Sequence, residues 1–215
     1  MTGAVLWDMD GTLVDSEEYH WLSWRDTMQS EGITITHDQF LKTFGQRNDS
    51  ILPQWLNADA SPESVVRIGD SKEELYRKLV HQGHIQPLPG VMDWVHRLRG
   101  QGWRQAVASS APRKNIEVVL EALGLTGFFD ALVSAEDVTA GKPDPQVFQK
   151  GAERLEIPSS RCIVVEDAVP GVEAARRAGM RCIGVSQKGL LSGANVVVRS
   201  LADLPADAFE VLSRE

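Results

Sequence analysis

Short apolar segments alternate with helical patterns along most of this 215-residue chain. Five segments have the length and the continuous apolar character of buried strands, at residues 4–7, 105–109, 131–134, 162–165 and 182–185. Helical patterns separate the later strands, near residues 91–99, 113–123, 144–155 and 171–178. Strands spaced by helices in this way predict an α/β fold, with a parallel sheet and helices on both of its faces.

A long helical block interrupts this alternation after the first strand. Residues 16–87 contain no convincing strand pattern apart from residues 33–35, and their apolar positions recur mostly at helical spacing. We therefore expect an all-helical insertion at residues 16–87. The sheet domain would then consist of residues 1–15 and 88–215.

The charge and the composition exclude several classes of protein. The chain contains 22 Lys and Arg against 30 Asp and Glu, a formal net charge of −8, so it lacks the basic surface of a nucleic-acid or membrane-surface binder. It has no apolar stretch of about 20 residues that could span a membrane, and no signal-peptide pattern at residues 1–7. Cys162 and Cys182 lie in predicted buried strands and suit a reducing compartment. We expect a cytoplasmic monomer.

Polar residues follow four of the predicted strands at or after the point where each strand ends. These residues are Asp8, Asp10, Ser109, Ser110, Lys142, Glu166 and Asp167. Ligands of open parallel sheets bind at the carboxyl ends of the strands. We therefore expect four carboxylates, a hydroxyl and one ammonium group to converge on one edge of the sheet.

The spacing of Asp8 and Asp10 points to paired carboxylates around one reacting centre. Residues two apart on an extended chain face the same side, about 6.6 Å apart along the strand, which suits a nucleophile and a proton shuttle. An Asp-Gly turn between strands is the simpler alternative. A calcium loop is excluded, because Leu13 and Tyr19 stand where that loop needs glycine and glutamate.

The charges predict a metal. The four carboxylates carry about −4 if all are ionised, and a phosphate monoester adds about −2 near pH 7, whereas Lys142 supplies a single positive charge. Such a site can hold a phosphate only if a divalent cation joins it. An all-oxygen ligand set suits Mg²⁺.

In their order along the chain, these residues resemble the four motifs of the haloacid-dehalogenase-like phosphohydrolases. The matching motifs are Asp8-Met9-Asp10-Gly11-Thr12, Ser109, Lys142 and Glu166-Asp167, and the resemblance covers essentially the whole chain. It implies a Rossmann-like core with a helical cap inserted after the first motif, where residues 16–87 stand.

The resemblance also implies a role for each motif residue. Asp8 would attack phosphorus and form an aspartyl-phosphate, and Asp10 would protonate the leaving oxygen and then deprotonate water. Ser109 and Lys142 would bind phosphoryl oxygens. The Mg²⁺ ligands would be Asp8, the backbone carbonyl of Asp10, and Asp167, with Glu166 beside them. An aspartate at position 10 argues against dehalogenation.

Within the family, the chain is similar to β-phosphoglucomutase and to sugar-phosphate phosphatases. His20, Arg47 and Lys72 look like cap positions that bind the substrate, together with Ser110 in the core; a bidentate guanidinium suits a distal phosphate or sugar oxygen. A solvated helix face is the alternative for Arg47 and Lys72.

Two departures favour a phosphatase over a mutase. Thr43 stands near a lysine position of the mutase cap, and residues 111–114 differ from its serine- and asparagine-rich segment. We therefore expect a Mg²⁺-dependent phosphatase that acts on a small phosphorylated metabolite. A hexose phosphomutase is the first alternative, and a non-catalytic, receiver-like phosphate-binding module is the second.

Overall fold

Six strands form one parallel sheet in the computed structural model, which describes residues 3–56, 60–187, 189 and 191–214. The strands are β1 Ala4–Trp7, β2 Arg104–Ala108, β3 Ala131–Val133, β4 Cys162–Glu166, β5 Arg181–Val185 and β6 Val196–Val198. Their order across the sheet is β3-β2-β1-β4-β5-β6, the doubly wound order of a Rossmann-like fold. The five predicted strands are confirmed within about one residue at each end, and β6 is an addition at the sheet edge.

Helices cover both faces of the sheet, as predicted. The core helices are α5 Val91–Gly100, α6 Arg113–Ala122, α7 Gln146–Leu155, α8 Val169–Arg177 and α9 Ala208–Leu212. Alternate side chains of β1 enter different apolar layers: Val5 and Trp7 join the layer under α5, α6 and α9, and Leu6 joins the layer under α7 and α8. Every residue of β1 and β4 is buried, which places the carboxyl ends of these two strands at the centre of the molecule.

Among the described residues, four helices form the insertion between β1 and α5, and we call them the cap and the rest of the chain the core. They are α1 Glu17–Ser30, α2 His37–Leu41, α3 Asn48–Leu56 and α4 Pro62–Gln82. The cap has an apolar cluster of its own, which includes Trp24, Met28, Phe40, Leu52 and Ile68. It is therefore a helical unit with its own small apolar centre, and the all-helical character of the insertion is confirmed.

The strand-like pattern at residues 33–35 corresponds to no strand. An isolated antiparallel β-bridge pairs Val14 with Pro87, so the two chain segments that connect cap and core lie side by side. The domain boundaries after residues 15 and 87 stay predictions, and residues 1, 2, 57–59, 188, 190 and 215 within those ranges lie outside the described residues.

Both cysteines are buried free thiols, in agreement with the prediction. Among the described residues, no helix combines the length and the apolar character needed to cross a bilayer.

Candidate active site

Asp8 stands directly after β1 and is held in place by both its backbone and its side chain. Its amide donates a hydrogen bond of 3.0 Å to the carbonyl of Val165, one residue before the end of β4. Its carboxylate oxygen Oδ1 accepts a hydrogen bond of 2.5 Å from Lys142 Nζ. Only 7% of Asp8 is exposed, so the sheet presents this carboxylate as a fixed group at the base of a cavity.

Lys142 joins two strands of the sheet through their carboxylates. Its Nζ also donates to Glu166 Oε1 at 2.6 Å, and the other oxygen of Glu166 accepts from the amide of Ala168 at 2.7 Å. Burial alone would lower the pKa of Lys142, but Asp8 and Glu166 raise it above its ordinary value. The side chain is therefore a permanent cation between two acidic groups.

A cluster of three carboxylates surrounds this lysine. Asp8, Glu166 and Asp167 each offer an oxygen, and these oxygens all lie within 4.8 Å of one another. Burial, only partly offset at Asp8 by Lys142, and repulsion within the cluster raise the pKa of Asp8 to about 7 and that of Asp167 to about 9. The cluster is thus too negative to ionise fully without another cation, and its oxygen donors fit a hard dication such as Mg²⁺.

Gly11 allows the chain to turn closely around this cluster. Its φ of +87° is a left-handed conformation that favours glycine. A Cβ atom at this position would collide with the carboxylate of Asp167. The glycine of the first motif therefore keeps space for a carboxylate that could bind a metal.

The Asp10 side chain lies apart from the carboxylate cluster and contacts the cap. Its Oδ1 accepts a hydrogen bond of 2.5 Å from Ser16 Oγ and lies 3.2 Å from His20 Nε2. Burial raises the pKa of Asp10, but His20 and Ser16 more than offset this effect and hold the pKa below its ordinary value. Asp8 and Asp10 therefore have opposite electrostatic environments, although they are two residues apart.

Lys72, on α4 of the cap, contacts the other ring nitrogen of His20. Its Nζ lies 2.9 Å from His20 Nδ1 and donates to Glu73 Oε1 at 3.0 Å. The ammonium group also stands over the rings of Trp24 and Tyr76, 5.1 and 5.3 Å from their centroids. Only 2% of Lys72 is exposed, so the alternative of a solvated helix face is wrong for this residue.

Arg47 bridges the cap to the core. Its Nη1 donates to the carbonyl of Ala135 at 2.7 Å, and its Nη2 forms an ion pair of 2.8 Å with Asp49. The guanidinium group is therefore oriented by partners from both sides of the cavity. Its predicted contact with a distal phosphate or sugar oxygen stays a prediction.

One cavity of about 510 Å³ brings these groups together between cap and core. All ten predicted site residues line it: Asp8, Asp10, His20, Arg47, Lys72, Ser109, Ser110, Lys142, Glu166 and Asp167. Ser109 is 2% exposed, and its Oγ accepts a hydrogen bond of 3.0 Å from the amide of Ala111. The cap adds an apolar wall that includes Trp24, Phe40 and Val65.

The sequence interpretation missed two buried polar residues beside this cavity. Glu73, on α4, is 5% exposed, and Asn115, on α6, is fully buried. Both lie in segments rich in charged residues, which are typical of a solvated helix face. The only sequence signal is their register, since each falls close to the apolar side of its helix.

Comparison with known proteins identifies the family. The sequence profile of the haloacid dehalogenase-like hydrolases matches residues 5–185. The chain belongs to this family. The resemblance carried by the four motifs is therefore confirmed, as is the fold that it implies.

Relatives of this haloacid dehalogenase-like hydrolase include phosphatases and a phosphomutase. Hexitol phosphatase B of Escherichia coli O157:H7 is 33% identical, with 94% of each chain covered. Beta-phosphoglucomutase of Bacillus subtilis (strain 168) is 29% identical, with 94% of this chain and 91% of that protein covered. The chain spans only 18% of a longer relative, the chloroplastic Protein SUPPRESSOR OF QUENCHING 1 of Arabidopsis thaliana.

A solved structure of a related protein has the same fold as this chain. The crystal structure of beta-phosphoglucomutase from Clostridium difficile matches with a TM-score of 0.91 and 27% identity, over 100% of this chain and 98% of that chain. The haloacid dehalogenase-like hydrolase described here is therefore an enzyme of the phosphatase and phosphomutase group.

Proposed function

We propose that this chain is a Mg²⁺-dependent phosphatase that hydrolyses a small sugar phosphate through an aspartyl-phosphate on Asp8. One observation carries the proposal. The Asp8 carboxylate is fixed at the base of the cavity within 2.5 Å of Lys142 Nζ, among further acidic groups that could hold a metal. Phosphoryl transfer depends mainly on positioning and charge stabilisation, and this arrangement offers both.

Asp8 would act as the nucleophile, with Ser109 and Lys142 as the phosphate-binding groups. Both lie on the cavity wall with Asp8, and Lys142 already contacts the attacking carboxylate. Asp8, Glu166, Asp167 and the backbone carbonyl of Asp10 would hold the metal. Bound Mg²⁺ would neutralise these carboxylates and the phosphoryl oxygens, so that an anionic nucleophile can approach an anionic phosphate.

Asp10 would act as the general acid and base. Ser16 and His20 fix its carboxylate, and its lowered pKa keeps it ionised before substrate binds. A bound phosphate adds negative charge beside Asp10, which raises the pKa of Asp10 and favours the protonated carboxyl. In that form Asp10 can donate a proton to the leaving oxygen. After the leaving group departs, the ionised carboxylate is the form that takes a proton from water.

The cavity suits a small sugar phosphate. Its volume of about 510 Å³ lies in the range of small-molecule sites. The cap side presents polar groups from His20, Arg47 and Lys72 for hydroxyl oxygens. The apolar wall of the cap, which includes Val65, can pack against the apolar face of a sugar ring.

A panel of phosphorylated sugars, assayed for released phosphate with and without EDTA, tests this proposal. We expect Mg²⁺-dependent phosphate release from at least one sugar phosphate, and loss of that activity in EDTA. No release from any member of the panel, or release that EDTA leaves unchanged, would contradict the proposal.

A hexose phosphomutase is the second candidate, because beta-phosphoglucomutases are among the relatives that match nearly the whole chain. An assay with β-glucose 1-phosphate, with and without a sugar bisphosphate, separates the two candidates. Formation of glucose 6-phosphate that the bisphosphate stimulates indicates a mutase, whereas free phosphate alone indicates a phosphatase.

A further inference from the structure

Glu73 is a buried carboxylate of the cap that contacts the core. Its Oε1 accepts hydrogen bonds from two cap groups, Lys72 Nζ at 3.0 Å and Asn48 Nδ2 at 2.7 Å. Its Oε2 accepts a hydrogen bond of 2.5 Å from Asn115 Nδ2, on α6 of the core. The two oxygens of one carboxylate therefore face different parts of the fold.

Asn115 directs its whole side chain at the cap. While its Nδ2 donates to Glu73, its Oδ1 accepts a hydrogen bond of 2.9 Å from Arg77 Nη1, one turn further along α4. The residue is fully buried. If the cap moved away from α6, both polar groups of this amide would exchange their charged partners for water, and the hydrogen bonds that stabilise the docked cap would be lost.

The charge on Glu73 strengthens this connection. Burial raises the pKa of Glu73, but Lys72 and His20, together with the hydrogen bonds from Asn48 and Asn115, hold it below its ordinary value. The carboxylate is therefore ionised. Hydrogen bonds to ionised groups are shorter and stronger than those between neutral groups.

Glu73 also contacts the Lys72 ammonium group. Lys72 lines the cavity, and its Nζ has two polar partners among the described residues, Glu73 Oε1 and His20 Nδ1. A shift of the Glu73 carboxylate would therefore move the ammonium group relative to the cavity. The Glu73 carboxylate thus binds both the Lys72 ammonium group in the cavity and the Asn115 amide group of the core.

We propose that Glu73 is a positioning residue, which places the Lys72 ammonium group in the cavity when Asn115 docks the cap onto the core. The role of Lys72 in binding substrate rests on the proposed function, whereas the docking of the cap does not. Glu73 lines the cavity, whereas Asn115 does not, and in this proposal both act through Lys72.

A matched pair of variants tests this proposal. Asn115→Ala removes both hydrogen bonds between Asn115 and the cap, to Glu73 and from Arg77, and Asn48→Ala removes one that Glu73 accepts within the cap. Small-angle scattering of the substrate-free proteins reports the separation of cap and core. Steady-state kinetics with the best sugar phosphate reports KM and kcat separately.

We expect Asn115→Ala to increase the radius of gyration and to raise KM about tenfold, because undocking of the cap lowers the population of the state that binds substrate. Asn48→Ala should keep the wild-type scattering profile, because the hydrogen bonds of Asn115 between cap and core remain and the cap stays docked. Asn115→Asp is a second variant of similar shape. It keeps a partner for Arg77 but repels Glu73, so it should expand the protein at least as much.

Wild-type scattering and KM in both Asn115 variants would overturn the proposal, and so would equal expansion in Asn48→Ala. Unfolding of both Asn115 variants would also overturn it, because Asn115 would then act in folding rather than in positioning. Expansion confined to the Asn115 variants, in a protein that hydrolyses no phosphate ester, would support the docking and refute the proposed function. The two proposals therefore fail on different measurements.

Discussion

Lys142 Nζ donates a hydrogen bond of 2.5 Å to Asp8 Oδ1, although 134 positions separate the two residues in the sequence. The same ammonium group lies 2.6 Å from Glu166 Oε1. Asp8 follows the central strand β1, and Glu166 ends its neighbour β4. One buried cation therefore holds together the two carboxylates that the sheet brings side by side.

Removal of this cation should destabilise the metal-free protein. Lys142→Met leaves a cluster of buried carboxylates without their cation, and breaking such a buried pair lowers the free energy of unfolding by about 3 kcal/mol. Urea unfolding in EDTA measures the loss, and Mg²⁺ should restore part of it. Lys150→Met is the control, because Lys150 forms an exposed pair with Glu153 and should cost about 0.5 kcal/mol or less. Equal effects of the two substitutions would contradict the account.

Substitution of Asp10 should separate metal binding from proton transfer. Asp10→Asn keeps the backbone carbonyl and the shape of the side chain, but it cannot transfer a proton. We expect kcat for a sugar phosphate to fall about 10²–10⁴-fold, with Mg²⁺ affinity by calorimetry within about threefold of wild type. An unchanged kcat would refute the acid and base role of Asp10.

The metal-free protein should lose stability as pH rises from about 5 to about 9. The pKa of Asp8 is raised from 3.8 to about 7 and that of Asp167 from 3.8 to about 9. Above pH about 4, the folded state therefore holds protons that the unfolded chain releases, and stability is lost as pH rises through the folded-state values. Tm in EDTA should fall across this range.

Mg²⁺ should reverse that slope, because it binds the ionised carboxylates and its affinity rises as they lose their protons. Asp8→Asn is the matched variant, and it should flatten the decline of Tm in EDTA. A Tm in EDTA that rises between pH about 5 and 9 in the wild-type protein would contradict the raised pKa values.

Gly11 offers a test of the metal cluster that leaves every ligand side chain unchanged. Gly11→Ala and Gly32→Ala both place alanine at a positive φ, +87° and +75°, and each should cost about 1 kcal/mol of stability. Only a Cβ at position 11 meets Asp167, since nothing lies within 4 Å of one at position 32. Calorimetry should therefore show Mg²⁺ binding at least about tenfold weaker in Gly11→Ala alone. Equal affinities in the two variants would place the metal elsewhere.

The core elements were predictable because their burial follows from local patterns. β1 is a short run of four apolar residues, and each of the four is buried. β6 was missed, since it is three residues long and partly exposed at the sheet edge. α3 has Pro53 in its interior, which weakens a helical pattern. Packing against the rest of the cap, rather than helix propensity, accounts for that helix.

The phosphoryl site was predictable from topology, because parallel strands deliver Asp8 and Glu166 to the same edge of the sheet. The hydrogen-bond partners of Glu73, in contrast, were not predictable from the sequence. Its carboxylate meets Asn115, 42 positions away, and no pattern along α4 or α6 identifies such a pair. The burial of Lys72 was not predictable either, because lysine is almost never fully buried unless it is paired, and its partner was not predictable.

Trapping the phosphorylated enzyme tests the central claim most directly. The protein is mixed with acetyl phosphate and Mg²⁺, quenched in acid and reduced with borohydride, which converts an aspartyl-phosphate to homoserine, and its peptides are analysed by mass spectrometry. The account predicts homoserine at position 8 in the wild-type protein and in Asp10→Asn, and none in Asp8→Asn or in EDTA. Turnover of acetyl phosphate with modification at any other residue, or turnover by Asp8→Asn above a few per cent of wild type, would contradict it.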